Sequence, residues 1–383
     1  MAELAFAAPP PNTDAMEALR HEVRAFCSME LSGLSAKARA SSWGGRDHAF
    51  SRKMGERGWI GMTWPKRYGG HERDALERYV VLEEMLAAGA PVGAHWVADR
   101  QSGPTLLRFG TEEQRQAVLP RIAKGECYFC IGMSEPDSGS DLAATRTRAQ
   151  NVQGGYLVNG AKVWTSGAHE SHYMILFCRT DTKSEDRHAG LSQFLVDMRT
   201  PGITVRPILD LAGEHHFNEV SFEDMHLPEG ALIGELGNGW RQVTSELAYE
   251  RSGPDRFLSC FTLLLETLRA LGPEANERVA VAVGRITAHL MVLRRLSRSV
   301  AGMLQRGEDP AVQAALVKEL GTSLEQETVE VVRLLVDADA DAGSDDPYVA
   351  VLAHTIMAAP SFSIRGGTRE VLRGIIARGL GLR

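Results

Sequence analysis

Along the 383 residues the period of the apolar positions changes twice, and this restricts the fold more than any other feature. From about 14 to 126 the spacing is helical. "RYVVLEEMLAAG" (Arg78–Gly89) reads as a helix that stops at a glycine. "TEEQRQAVLPRIAKGE" offers Thr111 as N-cap with acids in its first turn, and Pro120 predicts a break or an end there. From about 127 to 235 the period drops to two. "YMILFCR", "QFLVDM", "ITVRPI" and "NEVSFEDM" read as strands, and "YLVNGAKVW" (Tyr156–Trp164) reads as two short strands turned by Asn159-Gly160. From 236 onward helices return. Val279, Val283, Ile286, Leu290, Leu293, Val300 and Leu304 form one long stripe, and Val312, Leu316, Leu320, Leu324, Val331 and Leu335 a second. Long amphipathic helices need bundle partners. The expected organisation is α+β in three parts: a helical domain over 1–126, a β domain over 127–235 and a helical bundle over 236–383.

A net charge of −7 argues against broad nucleic-acid binding. No apolar run is long enough to span a membrane, and the N-terminus lacks the features of a signal peptide, so a cytoplasmic protein is expected. Cys127 and Cys130 form a C-x-x-C inside the apolar run "CYFCIGM" with no second pair, and are read as small packed hydrophobes. His215 and His216 are strand neighbours on opposite faces, a poor chelating pair, and no metal is expected.

"GMSEPDSGSDLAATRT" (Gly132–Thr147) follows a strand-like run and gathers glycines and hydroxyls around acids. Such a loop lets a flat or phosphorylated ligand approach the backbone. Residue by residue it resembles the signature loop of the acyl-CoA dehydrogenase family. "GWIGMTWPKRYGG" (Gly58–Gly70) is similar to that family's N-terminal turn segment, "NGAKVWTSGA" (Asn159–Ala168) to its flavin-facing hairpin, and "GGTREVLRGIIARGLGL" (Gly366–Leu382) to its C-terminal helix. The resemblance covers essentially the whole chain. It implies an N-terminal helical domain, a middle antiparallel β-barrel or sheet and a C-terminal four-helix bundle. It also implies FAD and the oxidation of an acyl-CoA thioester across its α and β carbons.

On the same resemblance, Ile131, Met133 and Ser134 line the flavin, and Ser140 reaches the flavin or the CoA side. Trp164 covers one flavin face beside Thr165, and Ser166 faces N5. Thr368 and Glu370 lie near FAD. Many members carry a glutamate base just before the Gly-Thr of the tail, where this chain has Gly366. A second branch carries it on the first helix after the β domain, just before an arginine. "ELAYERSG" (Glu246–Gly253) then supplies Glu250 as base, with Glu246 a rival one turn earlier. Arg251 is an ion-pair partner or a substrate contact, and Tyr249 and Gly367 are further substrate-side candidates.

Two grips on the FAD tail that the family usually has, an Arg-x-x-Phe-Gly turn and a Gln with a Gly-Gly-x-Gly turn, are missing. Their places read "LGPEANERVAVAVGRI" and "DDPYVAVLAHTIMAAP". The resemblance therefore implies a homologous partner subunit in an α2β2 assembly. With "GAHWVADRQSGPTLLRFG" (Gly93–Gly110), it points to actinobacterial enzymes acting on steroid side-chain thioesters, with an electron-transfer flavoprotein or similar acceptor. The competing expectations are an oxidase on the same scaffold and a silent scaffold subunit.

Overall fold

The computed structural model describes residues 4–181, 185–274 and 276–382, and for 246–250 the backbone alone. In chain order the helices before the strands are α1 (Asp14–Glu30), α2 (Ala36–Ser41), α3 (His48–Glu56), α4 (Ala75–Ala87), α5 (Gly93–Val97), α6 (Gly103–Phe109) and α7 (Glu112–Ala123). The strands are β1 (Phe129–Gly132), β2 (Arg148–Val152), β3 (Gly155–Lys162), β4 (Tyr173–Arg179), β5 (Leu191–Asp197), β6 (Ile203–Leu209), β7 (His215–Pro228) and β8 (Leu232–Ile233). Then follow α8 (Gly239–Glu250), α9 (Phe261–Leu271), α10 (Glu277–Gln305), α11 (Ala311–Val332), α12 (Pro347–Phe362) and α13 (Arg369–Gly379). The helix–strand–helix order read from the periodicity is the observed one.

The chain forms two compact units. One holds Ser51–Glu72 and Ala94–Leu247. Its sheet runs β6-β7-β3-β2-β4-β5-β8, with β1 added on β4. Most pairings are antiparallel, but β1 and β2 each pair with β4 in parallel. Alternating inward side chains from these strands, among them Met174, Leu176, Phe194, Val220, Phe222 and Met225, make its core.

Two local expectations are corrected here. The Asn159-Gly160 pair does not turn the chain: β3 runs straight through it, and the hairpin turn lies at Gln153-Gly154, between β2 and β3. Gly160, at φ 142°, instead marks a register shift against β7. A Cβ there would stand 2.7 Å from the Thr147 Cα. The glycine serves a bulge and a close approach rather than a turn. Nor does Pro120 end α7, which continues to Ala123. The proline falls in the last turn and removes a single donor. The Thr111 cap is as expected, with Gln114 completing a capping box.

The other unit holds Met1–Phe50, Arg73–Gly93 and Ala248–Arg383. In it α1 and α4 pack together and α4 packs on α10, while α2 packs on α9 and α12. A buried ionic cluster ties the first three. Glu83 takes Arg20 at 2.9 Å and Arg294 at 2.6 Å, and Glu84 takes Arg20 and Arg24. The apolar core of this unit gathers Leu263, Ile286, Leu293, Leu324, Val351 and Leu352 from α9 to α12. None of the helices among the described residues is long and apolar enough to cross a membrane.

Candidate functional site

In the sheet-bearing unit, the loop after β1 is held by one buried acid. Glu135 is 7% exposed and accepts the Arg146 N–H at 2.7 Å, the Thr147 N–H at 2.9 Å and the Thr145 hydroxyl. The Lys162 ammonium, on β3, reaches it at 2.8 Å and also donates to the Met133 carbonyl and the Thr145 hydroxyl oxygen. Burial pushes the Glu135 carboxyl up, but Lys162 and the hydroxyl donors more than offset this and leave its pKa at about 2. Burial likewise draws the Lys162 ammonium down. Lys162 is the member that sequence reasoning overlooked. Its only signal in the sequence is a cation inside a β-prone run.

The chain leaving β3 is pinned to this loop, because the Val163 N–H donates to the Ser134 carbonyl at 2.9 Å. Ile131, Met133, Ser134, Trp164, Thr165 and Ser166 are thereby brought together in one unit. Trp164 has φ 58° and is 59% exposed, an indole turned outward from a firmly held backbone. On one side it meets Phe217 edge-on at 5.9 Å. Asn218, fully buried, holds the next residue twice: its carbonyl accepts the Thr165 N–H at 3.0 Å and its side-chain amide donates to the Thr165 carbonyl at 2.9 Å. The Thr165 hydroxyl is buried and has no partner among the described residues. Ser140 is exposed, further along the loop. Cys127 and Cys130 are buried, and burial pushes the Cys127 thiol up to about 12, as packed thiols should behave.

In the other unit the tail segment is built around two glycines at positive φ, Gly366 at 66° and Gly367 at 97°. The buried Arg251 donates from Nε to the Gly366 carbonyl at 3.2 Å, and Lys318 of α11 donates to the Gly367 carbonyl at 2.8 Å. Thr368 caps α13 by accepting the Val371 N–H. Glu370 is exposed, its carboxyl held below the usual range by its own N–H and the Thr368 hydroxyl. Arg369 and Arg373 bind Glu319 of α11, fastening α13 in place. The side chains of Glu246, Tyr249 and Glu250 lie outside the described residues, so the residue expected as base has no described geometry.

The acyl-CoA dehydrogenase N-terminal, middle and C-terminal domain models match residues 13–126, 130–225 and 237–381. The chain belongs to the acyl-CoA dehydrogenase family. It is 34% identical over 342 residues to the acyl-CoA dehydrogenase FadE29 of Mycobacterium tuberculosis, covering 86% of each chain. It is similar to the crystal structure of the ChsE4-ChsE5 complex from the same organism, at a TM-score of 0.83 and 30% identity over 97% of this chain and 99% of that one. It is also similar to a structure described as the Tcur3481-Tcur3483 steroid ACAD, at a TM-score of 0.83 and 27% identity over 97% and 98%. The family fold, with helical, sheet and helical domains, and its oxidoreductase class are those of this chain.

The family are flavoproteins, and the residues present suit such a group. A flat ring system needs an uncovered aromatic face, a close backbone and hydroxyl donors. Trp164 supplies the face. Gly132, where a Cβ would meet the Met174 sulfur at 2.7 Å, shows how tightly the strand under the loop is packed. Thr165 holds a buried hydroxyl without a partner among the described residues.

Proposed function

We propose that this chain is the ring-binding and base-bearing subunit of an FAD-dependent acyl-CoA dehydrogenase that acts on a bulky, steroid side-chain thioester. The observation that carries the reading is the outward Trp164 on a turn locked through Val163 to Ser134 and through Thr165 to Asn218. Ile131, Met133, Ser134, Trp164, Thr165 and Ser166 hold the flavin ring, while Thr368 and Glu370 lie toward the cofactor from the tail segment. Ser140 contacts the CoA side, and Tyr249, Arg251 and Gly367 border the substrate. FAD, when bound, supplies the hydride acceptor at N5.

Glu250 removes the α proton as general base, which requires a carboxylate near that carbon in a water-poor site. The Gly366 N–H donates to the thioester oxygen, stabilising the enolate-like charge. A glycine at 366, in place of the glutamate that many members carry there, leaves room for the acid from α8 and for a branched acyl group.

The FAD tail is gripped by a homologous second subunit in an α2β2 assembly, and electrons leave to an electron-transfer flavoprotein or similar acceptor. Two of the similar solved structures carry paired names, ChsE4-ChsE5 and Tcur3481-Tcur3483, which supports the partner. Gly366 also favours a second reading, a silent scaffold subunit. One experiment separates the two. In the assembled complex, Glu250→Gln should lower thioester oxidation by about a thousandfold while flavin is retained. Unchanged turnover would establish the scaffold reading. Stoichiometric flavin on the lone chain would overturn the partner.

A further inference from the structure

Trp164 stands in a backbone conformation that its own side chain disfavours. Among the described residues, the non-glycine positions at positive φ are Ser42, Glu72, Trp164 and Asp224, and Trp164 is the only aromatic one. A bulky residue is strained there and persists only where its surroundings over-determine it. Two consecutive residues of β7 do so. Phe217 meets the indole edge-on at 5.9 Å. Asn218 accepts the Thr165 N–H on its carbonyl and donates from Nδ2 to the Thr165 carbonyl at 2.9 Å.

The Asn218 amide has its own support. Its Oδ1 lies 2.7 Å from Nε2 of His215 and 3.2 Å from Nδ1 of His169. The two imidazoles are stacked, with centroids 3.9 Å apart and planes at 22°. His169 comes from the short turn Ala168–Glu170, which is fixed to β7 by the Gly167 N–H on the His216 carbonyl at 2.9 Å. The two ends of an amide have nearly the same shape and are told apart by their hydrogen bonds. Nδ2 is engaged with a carbonyl, so Oδ1 faces the rings and both rings donate, His169 from Nδ1–H and His215 from Nε2–H. Turned over, the amide would set an NH2 group against two ring N–H groups and an oxygen against the Thr165 carbonyl. Asn218 is 0% exposed, so water cannot make good the loss.

We propose that His169 and His215 are positioning residues for flavin binding. Acting through Asn218, the stacked pair holds the turn at Trp164 in its strained form and keeps Trp164, Thr165 and Ser166 facing the flavin ring. This rests on the flavin reading above. Both histidines are surface residues, and their part is to orient rather than to react.

The test uses the assembled two-subunit complex carrying fluorinated tryptophan, with its flavin and stripped of it. Trp164→Phe identifies the fluorine resonance of Trp164. His169→Phe/His215→Phe keeps two stacked rings and removes both N–H donors. In the flavin-free complex the Trp164 resonance should move or split while the other indole resonances stay in place. A general loss of stability would not single out that one signal. In the holoenzyme the flavin dissociation constant should rise about tenfold, the cost of one buried hydrogen bond left unmade. His169→Phe/His215→Gln returns one donor and should recover part of both changes. An unchanged Trp164 resonance in the first variant overturns the proposal. A moved resonance with unchanged flavin affinity would support the clasp and overturn the flavin reading of this turn instead.

Discussion

The Lys162 ammonium lies 2.8 Å from the Glu135 carboxylate, with side chains 0% and 6% exposed, and this pair holds the loop after β1 to the strand that leads into Trp164. A buried ion pair gives little net stability over an apolar pair of the same shape, but breaking it leaves a charge with no counterpart. Here it also sets geometry, because the same ammonium holds the Met133 carbonyl.

Lys162→Met should therefore cost about 3–5 kcal/mol of stability at neutral pH. Urea unfolding of the variant measures it. A loss below about 1 kcal/mol would show that Glu135 finds another partner.

The same pair predicts an acid response. The Glu135 carboxyl, ordinarily near 4.5, is held to about 2 in the folded chain. A depressed acid contributes stability that is complete above its ordinary pKa and is lost as pH falls through the folded value. Unfolding free energy should decline from about pH 4.5 toward about pH 2. In Glu135→Gln this portion of the pH profile should flatten, which unfolding titrations at several pH values would reveal.

Trp164→Ala should separate binding from folding. The indole is mostly exposed, so stability should change by about 0.5 kcal/mol or less. Flavin retention in the assembled complex should fall about tenfold, the worth of one lost aromatic contact. Equilibrium dialysis of the variant complex checks the second figure, and thermal unfolding the first.

Gly367→Ala tests the tail turn. At φ 97° a side chain is strained, and the added carbon meets Arg251. A loss of about 1–2 kcal/mol is expected, the usual cost of a left-handed alanine. Denaturant unfolding would detect it, and no loss would mean that the turn relaxes to another conformation.

The amino-acid sequence by itself determined what depends on neighbours in the chain. The helix–strand–helix order follows from periodicity, and the Thr111 cap from one side chain three residues from its partner amide. The segment Gly132–Thr147 was legible as irregular chain between strands because glycine, proline and hydroxyl residues recur along it. Tertiary structure decided the rest. Asn159-Gly160 has the composition of a turn, yet β7 on one side and Thr147 on the other hold it extended, so long-range pairing outweighed local propensity. Lys162 and Glu135 are 27 residues apart, and Lys318 and Gly367 are 49 apart. A charge buried by partners so distant leaves no periodic trace in the sequence. What such a residue does is set only when packing removes the water around it and leaves particular acceptors within reach, for Lys162 the Glu135 carboxylate, the Met133 carbonyl and the Thr145 hydroxyl oxygen.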